Sequence, residues 1–263
     1  MSLGLFDSGL GGLTVLRRLR EKLPHQDVVF FADQAHVPYG DRSTPELAEL
    51  LSENVAFLDA RGVDAIVMAC NTSCATASQR GWPQSRAPIV DLIESAAIAI
   101  ERAGFKRVGV IATSATARSG AYTKAIHARV KGADVFEVAA PALVPLVEAG
   151  KLEGPEPRAA VAAVCAELPS DLDAVILACT HYPLLDSHFE AVLGERVTRV
   201  DPAIVQAERA AELATQRGYT AGSGATVCVT SGDLEHFRAA VAATLGRVPN
   251  LSFERREPSV LSS

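Results

Sequence analysis

Two cysteines, Cys70 and Cys179, end nearly identical heptapeptides, Asp64-Ala-Ile-Val-Met-Ala-Cys70 and Asp173-Ala-Val-Ile-Leu-Ala-Cys179. Each apolar run reads as a buried strand. Each is followed by hydrogen-bonding residues, Asn71-Thr72-Ser73 after the first and Thr180-His181-Tyr182 after the second. Thiols so placed lie at the mouth of a cleft, near helix N-termini whose dipoles favour a thiolate. An unperturbed cysteine has a pKa of about 8.5, so a modest downward shift frees the thiolate near neutrality. Two such groups on opposite faces of one carbon can invert a stereocentre, one taking a proton while the other delivers one.

The same residues admit other chemistry. Cys70, Cys74, Cys179 and His181 are a zinc-compatible donor set, although their spacings match neither a finger nor a ribbon. A cysteine hydrolase with Cys179 as nucleophile and His181 as base is the stronger rival, and it leaves Cys70 without a role. A module that only binds a small ligand has no need of two thiols at matching strand ends. Cys74, four residues past Cys70, reads as a helix-packing thiol. Gly9-Leu-Gly-Gly12 lacks both the dinucleotide pattern and the Lys-Ser/Thr ending of a phosphate loop, so it reads as a turn whose backbone closely approaches a small ligand.

The elements that must position these residues alternate along the whole chain. Leu3–Phe6, Val28–Ala32, Ala65–Ala69, Ile89–Leu92, Val108–Ala112, Val135–Ala139, Val175–Ala178, Val197–Val200 and Thr226–Thr230 are aliphatic runs with little polar alternation, as parallel strands covered on both faces require. Amphipathic stretches between them predict helices over Gly12–Glu21, Pro45–Ala60, Ile93–Ala103, Gly120–Val130, Pro157–Leu168, Leu184–Leu193, Pro202–Gln216 and Leu234–Leu245. The pattern predicts an α/β fold of mostly parallel sheets flanked by helices, with ligands bound beyond the carboxyl ends of the strands.

Two more correspondences accompany the heptapeptides. Gly4-Leu-Phe-Asp-Ser8 parallels Gly109-Val-Ile-Ala-Thr113, and Val37-Pro38 parallels Val144-Pro145, in the same order and at nearly the same offset. Two similar halves related by a pseudo-two-fold axis follow, with the site in the cleft between them and one cysteine from each. The expected domains are residues 1–91 plus 205–263, and residues 92–204, so the chain crosses the hinge twice.

Composition narrows the function classes. The 263 residues are 48% hydrophobic and 21% charged, the balance of a globular protein. Lys plus Arg is 25 against Asp plus Glu 31, a formal charge of −6 that offers no footprint for nucleic acid. No signal-peptide pattern and no bilayer-length apolar run is present, and five cysteines are too few and odd in number for a disulfide framework. A reduced, cytoplasmic protein with neither a membrane nor a nucleic-acid partner is expected.

At these residues the sequence is similar to the glutamate racemases of the aspartate/glutamate racemase superfamily. The similarity rests on Phe6-Asp7-Ser8-Gly9-Leu10-Gly11-Gly12-Leu13-Thr14-Val15, Val37-Pro38-Tyr39-Gly40, Ala69-Cys70-Asn71-Thr72, Val144-Pro145-Leu146-Val147-Glu148, Cys179-Thr180-His181-Tyr182-Pro183-Leu184-Leu185 and Thr230-Ser231-Gly232-Asp233. The resemblance implies interconversion of L- and D-glutamate with no cofactor, neither pyridoxal phosphate nor metal, supplying D-glutamate for peptidoglycan. It implies Cys70 and Cys179 as the acid/base pair, Cys179 deprotonating L-glutamate and Cys70 D-glutamate. Asp7 would assist Cys70, His181 would assist Cys179, and Glu148 would be a further participant. Asp7, Ser8, Tyr39, Gly40, Asn71, Thr72, Thr180 and His181 would contact the small-molecule substrate, and a homodimer is the expected assembly.

Three departures from the family pattern, Ser73-Cys74, Ala32-Asp33-Gln34 and Glu94-Ser95, bear on local loop geometry and not on the chemistry. Aspartate racemases of the superfamily tend to carry His shortly after Asn-Thr and Glu after the second Cys-Thr. Ser73-Cys74 and His181 stand there, which favours glutamate. Plainer roles accompany the functional ones: Asp7 as a helix cap, His181 as a packed residue under the cleft, and Tyr39-Gly40 as a turn.

Overall fold

Strands rich in branched and aliphatic residues need apolar cover on both faces, and the chain supplies it with two parallel sheets joined through a shared core. The structure is a computed structural model that describes residues 2–218, 222–246 and 248–261. The chain opens with β1 (Ser2–Asp7), α1 (Gly12–Lys22), β2 (Asp27–Ala32), α2 (Thr44–Ala60), β3 (Ala65–Met68), α3 (Asn71–Arg80), β4 (Ile89–Asp91) and α4 (Leu92–Ala103). There follow β5 (Arg107–Ala112), α5 (Ser114–Ser119), α6 (Ala121–Arg129), β6 (Asp134–Ala139), α7 (Leu143–Glu148), α8 (Pro155–Cys165), β7 (Ala174–Ala178), α9 (Asp186–Leu193), β8 (Thr198–Val200) and α10 (Pro202–Gln216). It closes with β9 (Thr226–Thr230), α11 (Leu234–Leu245) and β10 (Leu251–Arg255).

The first sheet has the order β10-β9-β2-β1-β3-β4 and the second β6-β5-β7-β8. Strand order β2-β1-β3-β4 in one is therefore repeated as β6-β5-β7-β8 in the other. Register repeats as well: Leu3 pairs with Ala65 and Val28, and Val108 with Ala174 and Val135. The aspartate that opens each heptapeptide has the same task in both. Asp64 Oδ2 accepts from Ser2 N at 2.9 Å, and Asp173 Oδ2 accepts from Arg107 N at 2.8 Å, tying the start of β3 to β1 and of β7 to β5. The correspondence between Val37-Pro38 and Val144-Pro145 is looser, because the first pair lies in a loop and the second inside α7.

Two helices are exchanged between the halves. Helix α4, which follows β4 of the first sheet, packs on α6 and the second sheet's Val108 and Val110. Helix α10, which follows β8 of the second sheet, packs on α1 and buries Ala203, Ala207 and Ala210 against Leu3 and Leu5 of the first. The two lie against each other, and each is capped by an aspartate at its strand exit: Asp91 Oδ1 accepts from Ile93 N, and Asp201 Oδ1 from Ala203 N. Glu94-Ser95 and Ser73-Cys74 lie within α4 and α3, so those departures fall on helices and not on loops. No described helix is long and apolar enough to cross a membrane.

Strand β10 has no counterpart in the sequence reading. It is an edge strand beside β9, and its Leu251 and Phe253 alternate with Ser252, Glu254 and Arg255, so no apolar run marks it. Phe253 meets Phe237 of α11 edge-on at 6.3 Å, and Phe237 in turn contacts Phe30 of β2 at 5.9 Å. Phe237 is fully buried. Phe237→Ala should cost about 3–5 kcal/mol in a urea unfolding titration, through the lost transfer energy and the cavity left behind.

Candidate active site

The carboxyl ends of β1, β3, β5 and β7 meet at one cleft. Asp7 and Ser8 come from β1, Cys70, Asn71 and Thr72 follow β3, Thr113 and Ser114 follow β5, and Cys179, Thr180 and His181 follow β7. The loop after β2 adds Val37 to Asp41, and the turn into α7 adds Pro141, Val144 and Pro145, around about 540 Å3 that includes the open mouth. Of the catalytic and substrate-contact residues expected from sequence, Glu148 alone is off the wall, standing behind His181; Cys74 and the turn at residues 9–12 lie off it too.

Around Cys179, three side chains form a file. Cys179 Sγ lies 3.6 Å from His181 Nδ1, and His181 Nε2 lies 2.5 Å from Glu148 Oε1. Burial pulls the imidazolium of His181 down, but its hydrogen bonds to Cys179 and Glu148 outweigh that and hold it well above the usual histidine range. Burial likewise pushes the Glu148 carboxyl up, yet the His181 hydrogen bond and charge leave it below its ordinary value. The two partners of His181 favour its charged ring, whose Nδ1 faces the sulfur. Backbone from the first half presses on this file: Leu10 N donates to Glu148 Oε1 at 3.3 Å, and a Cβ on Gly11 would stand 2.3 Å from Thr180 Oγ1 and 2.7 Å from His181 Nδ1. Glycine at 11 is the condition for that approach.

The Cys70 side is built differently. Its thiol is buried at the cap position of α3, and burial, reinforced by the Asp7 charge, pushes it up to about 12. This corrects the expectation of a helix-terminus thiolate at Cys70: the amide and hydroxyl of Ser73 and the Ser8 hydroxyl do favour the anion, but desolvation is larger. Cys70 rests as a thiol, the form able to give a proton. Asp7 takes the helix-start role foreseen for it. Its Oδ2 accepts from Gly12 N at 2.6 Å, at the start of α1, and from Thr180 Oγ1 of the second half at 3.2 Å. Its carboxyl is raised by burial, partly offset by the charge of His181.

Hydroxyls close the cleft between the halves. Thr72 Oγ1 and Thr113 Oγ1 are 3.0 Å apart, and Thr113 Oγ1 donates to Thr116 Oγ1 at 3.0 Å. Tyr122 donates its hydroxyl to Asn71 Oδ1, which leaves Asn71 Nδ2 buried with no partner, and Asp7 Oδ1 is in the same state. No Lys or Arg is among the described lining residues, so anionic groups of a ligand would be held by neutral donors and by the amides opening α3. Sequence reasoning did not propose Thr113, although it pairs with Ser8 in the duplicated pattern. Transferring each site residue of one half to its counterpart in the other would have found it.

Comparison with known proteins bears on this geometry. The family model for Asp/Glu/hydantoin racemases matches residues 14–210. A glutamate racemase of Desulforudis audaxviator is 41% identical over 259 residues, 94% of this chain and 95% of its own. The crystal structure of a glutamate racemase isoform from Bacillus anthracis superposes with a TM-score of 0.89 at 31% identity, covering 98% of each chain. That of a Francisella tularensis glutamate racemase in complex with D-glutamate gives 0.88 at 26% identity, over 98% of this chain and 97% of the other.

Two outcomes follow from the site. Gly11→Ala should fold but lower kcat roughly 10- to 100-fold, because a methyl group at that point displaces Thr180 and His181. For the pair His181–Glu148, the raised histidine contributes stability fully below its unfolded value of 6.5, lost as pH rises through the folded one. The lowered glutamate contributes above its unfolded value of 4.5, and that share is lost as pH falls through the folded one. Glu148→Gln should therefore bring the His181 titration down, read from imidazole NMR shifts, and remove the acid-side loss.

Proposed function

The chain belongs to the Asp/Glu/hydantoin racemase family, and on that premise we propose that it interconverts L- and D-glutamate by proton transfer between the α-carbon and the thiols of Cys70 and Cys179. It is an amino-acid racemase, an isomerase. The observation that carries the two-thiol reading is the placement of both cysteines at equivalent strand ends of two sheets with the same strand order, on the wall of one cleft. Residues 1–91 plus 205–263 and residues 92–204 are proposed as the two units facing each other there, a division supported by the exchanged helices.

In the L-to-D direction Cys179 takes the α-proton while the Cys70 thiol gives its own to the opposite face. The reverse reaction exchanges the roles. His181 holds a proton beside Cys179 and Glu148 fixes the imidazole, while Asp7 stands by Cys70. The unpartnered Asn71 Nδ2 suits a substrate carboxylate and the unpartnered Asp7 Oδ1 the ammonium, with hydroxyls of Ser8, Thr72 and Thr113 as further donors. In this reading protein groups alone carry the reaction and no cofactor takes part. Its D-glutamate would serve peptidoglycan synthesis in the cytoplasm, and the protein would act as a homodimer, both extensions resting on the resemblance to glutamate racemases.

Purified protein should abolish the optical rotation of L-glutamate after treatment with chelator and with a carbonyl reagent, with aspartate turned over far more slowly. Cys70→Ala and Cys179→Ala should each lose at least ~100-fold in rate, because a two-base inversion needs a group on both faces. In heavy water, early D-glutamate should carry deuterium at the α-carbon while unreacted L-glutamate stays unlabelled. Retention of the original proton in that early product would overturn the two-thiol mechanism.

A further inference from the structure

The end of β3, from which Cys70 emerges, is held by a side chain of α10, the helix by which the chain returns from the second sheet to the first. Gln206 of α10 is 0% exposed, and its Nε2 donates to Met68 O at 2.8 Å and to Val90 O at 2.9 Å. Met68 is the last residue of β3, two before Cys70, and its pairing with Asp91 is the last between β3 and β4. Where the ladder stops, the Gln206 amide joins the two strands in its place. Three residues on, Arg209 Nη1 donates to Asp91 O at 2.8 Å and to Ser95 Oγ at 2.8 Å, so the same helix also grips the exit of β4.

Two features set Gln206 apart from ordinary packing. Its Oε1 is buried without a partner, a cost that an apolar side chain of the same length would avoid. Its counterpart in the duplicated half, matched through the capping residues Asp91 and Asp201, is Ala96 of α4, which has no polar group. The strut thus exists only on the Cys70 side. Helix α10 starts directly after β8 and touches β7, whose end carries Cys179, so it spans from the strand end of one thiol to that of the other.

We propose that Gln206 is a positioning residue for Cys70: its amide fixes the end of β3 relative to the second sheet and so sets the separation of the two thiols across the substrate carbon. The assignment rests on the reading of Cys70 as one of the two proton-transfer groups. Releasing Met68 O leaves the Cys74 thiol on it at 3.5 Å, while Ala69 N still donates to Phe6 O at 2.9 Å, so the segment Met68–Cys70 keeps its tie to β1 and loses its tie to α10.

The test compares Gln206→Met with Arg209→Met, which frees the β4 exit but leaves Met68 O held. Racemisation is followed in both directions, and iodoacetamide labelling of Cys70 and Cys179 is followed separately by peptide mass spectrometry. For Gln206→Met, kcat should fall roughly 10- to 100-fold, the penalty for a displacement of about 1 Å. Labelling of Cys70 should meanwhile quicken several-fold and that of Cys179 stay unchanged. Arg209→Met should alter Cys70 labelling much less. Unchanged Cys70 labelling in Gln206→Met, or an equal change at both cysteines or in both variants, overturns the assignment. If Gln206→Met does not fold, Gln206→Asn, which withdraws the amide by one methylene, carries the same comparison. Labelling does not depend on turnover, so persistent activity of Cys70→Ala would reject the two-thiol reading separately.

Discussion

Two strand-end cysteines can face one cleft from opposite sides only if two sheets meet there at their carboxyl edges. The rest of the fold serves that meeting. Parallel strands bring every carboxyl end of a sheet to one edge, and the glycine-rich turn after β1 lets the first half approach Thr180 and His181 of the second to contact distance. The exchange of α4 and α10 fastens the halves behind the cleft, while Thr72 and Thr113 meet in front of it.

Symmetry of backbone does not extend to the proton-handling groups. One thiol has an imidazole backed by a carboxylate; the other has a buried carboxyl with the Ser8 and Ser73 donors, and burial pushes that thiol up. Enantiomers are equal in free energy, so for racemisation kcat/KM is the same in both directions whatever the two sides look like. The unequal partners can therefore appear only in how kcat and KM divide that common ratio.

Much of this was readable before any coordinates. The aliphatic runs marked β1 to β9 because buried parallel strands have little polar alternation, and the repeated heptapeptide marked both cysteines. What escaped has physical reasons. Helix α3 opens with Asn71, Thr72 and Ser73, all buried and polar, so no apolar stripe announces it. Helix α7 carries Pro145 near its start, and β10 alternates as an edge strand does. The state of Cys70 was misjudged because a helix terminus is visible in sequence, whereas the depth of burial that overrides it depends on packing from elements far along the chain. The file from Cys179 to Glu148 spans residues whose adjacency only the fold creates.

The reciprocal placement of α4 and α10 has the form of a domain swap carried out within one chain, each half lending its last helix to the other. Two identical ancestral subunits joined in this way would already present a pair of equivalent cysteines to one cavity, and fusion would then free each copy to acquire its own partner for its thiol. A further consequence concerns autonomy. Severed between α4 and β5, the first fragment would carry α4 without α6 and α10, the helices it packs on most. The halves thus share a strand order and are tied to each other by the helices they exchange.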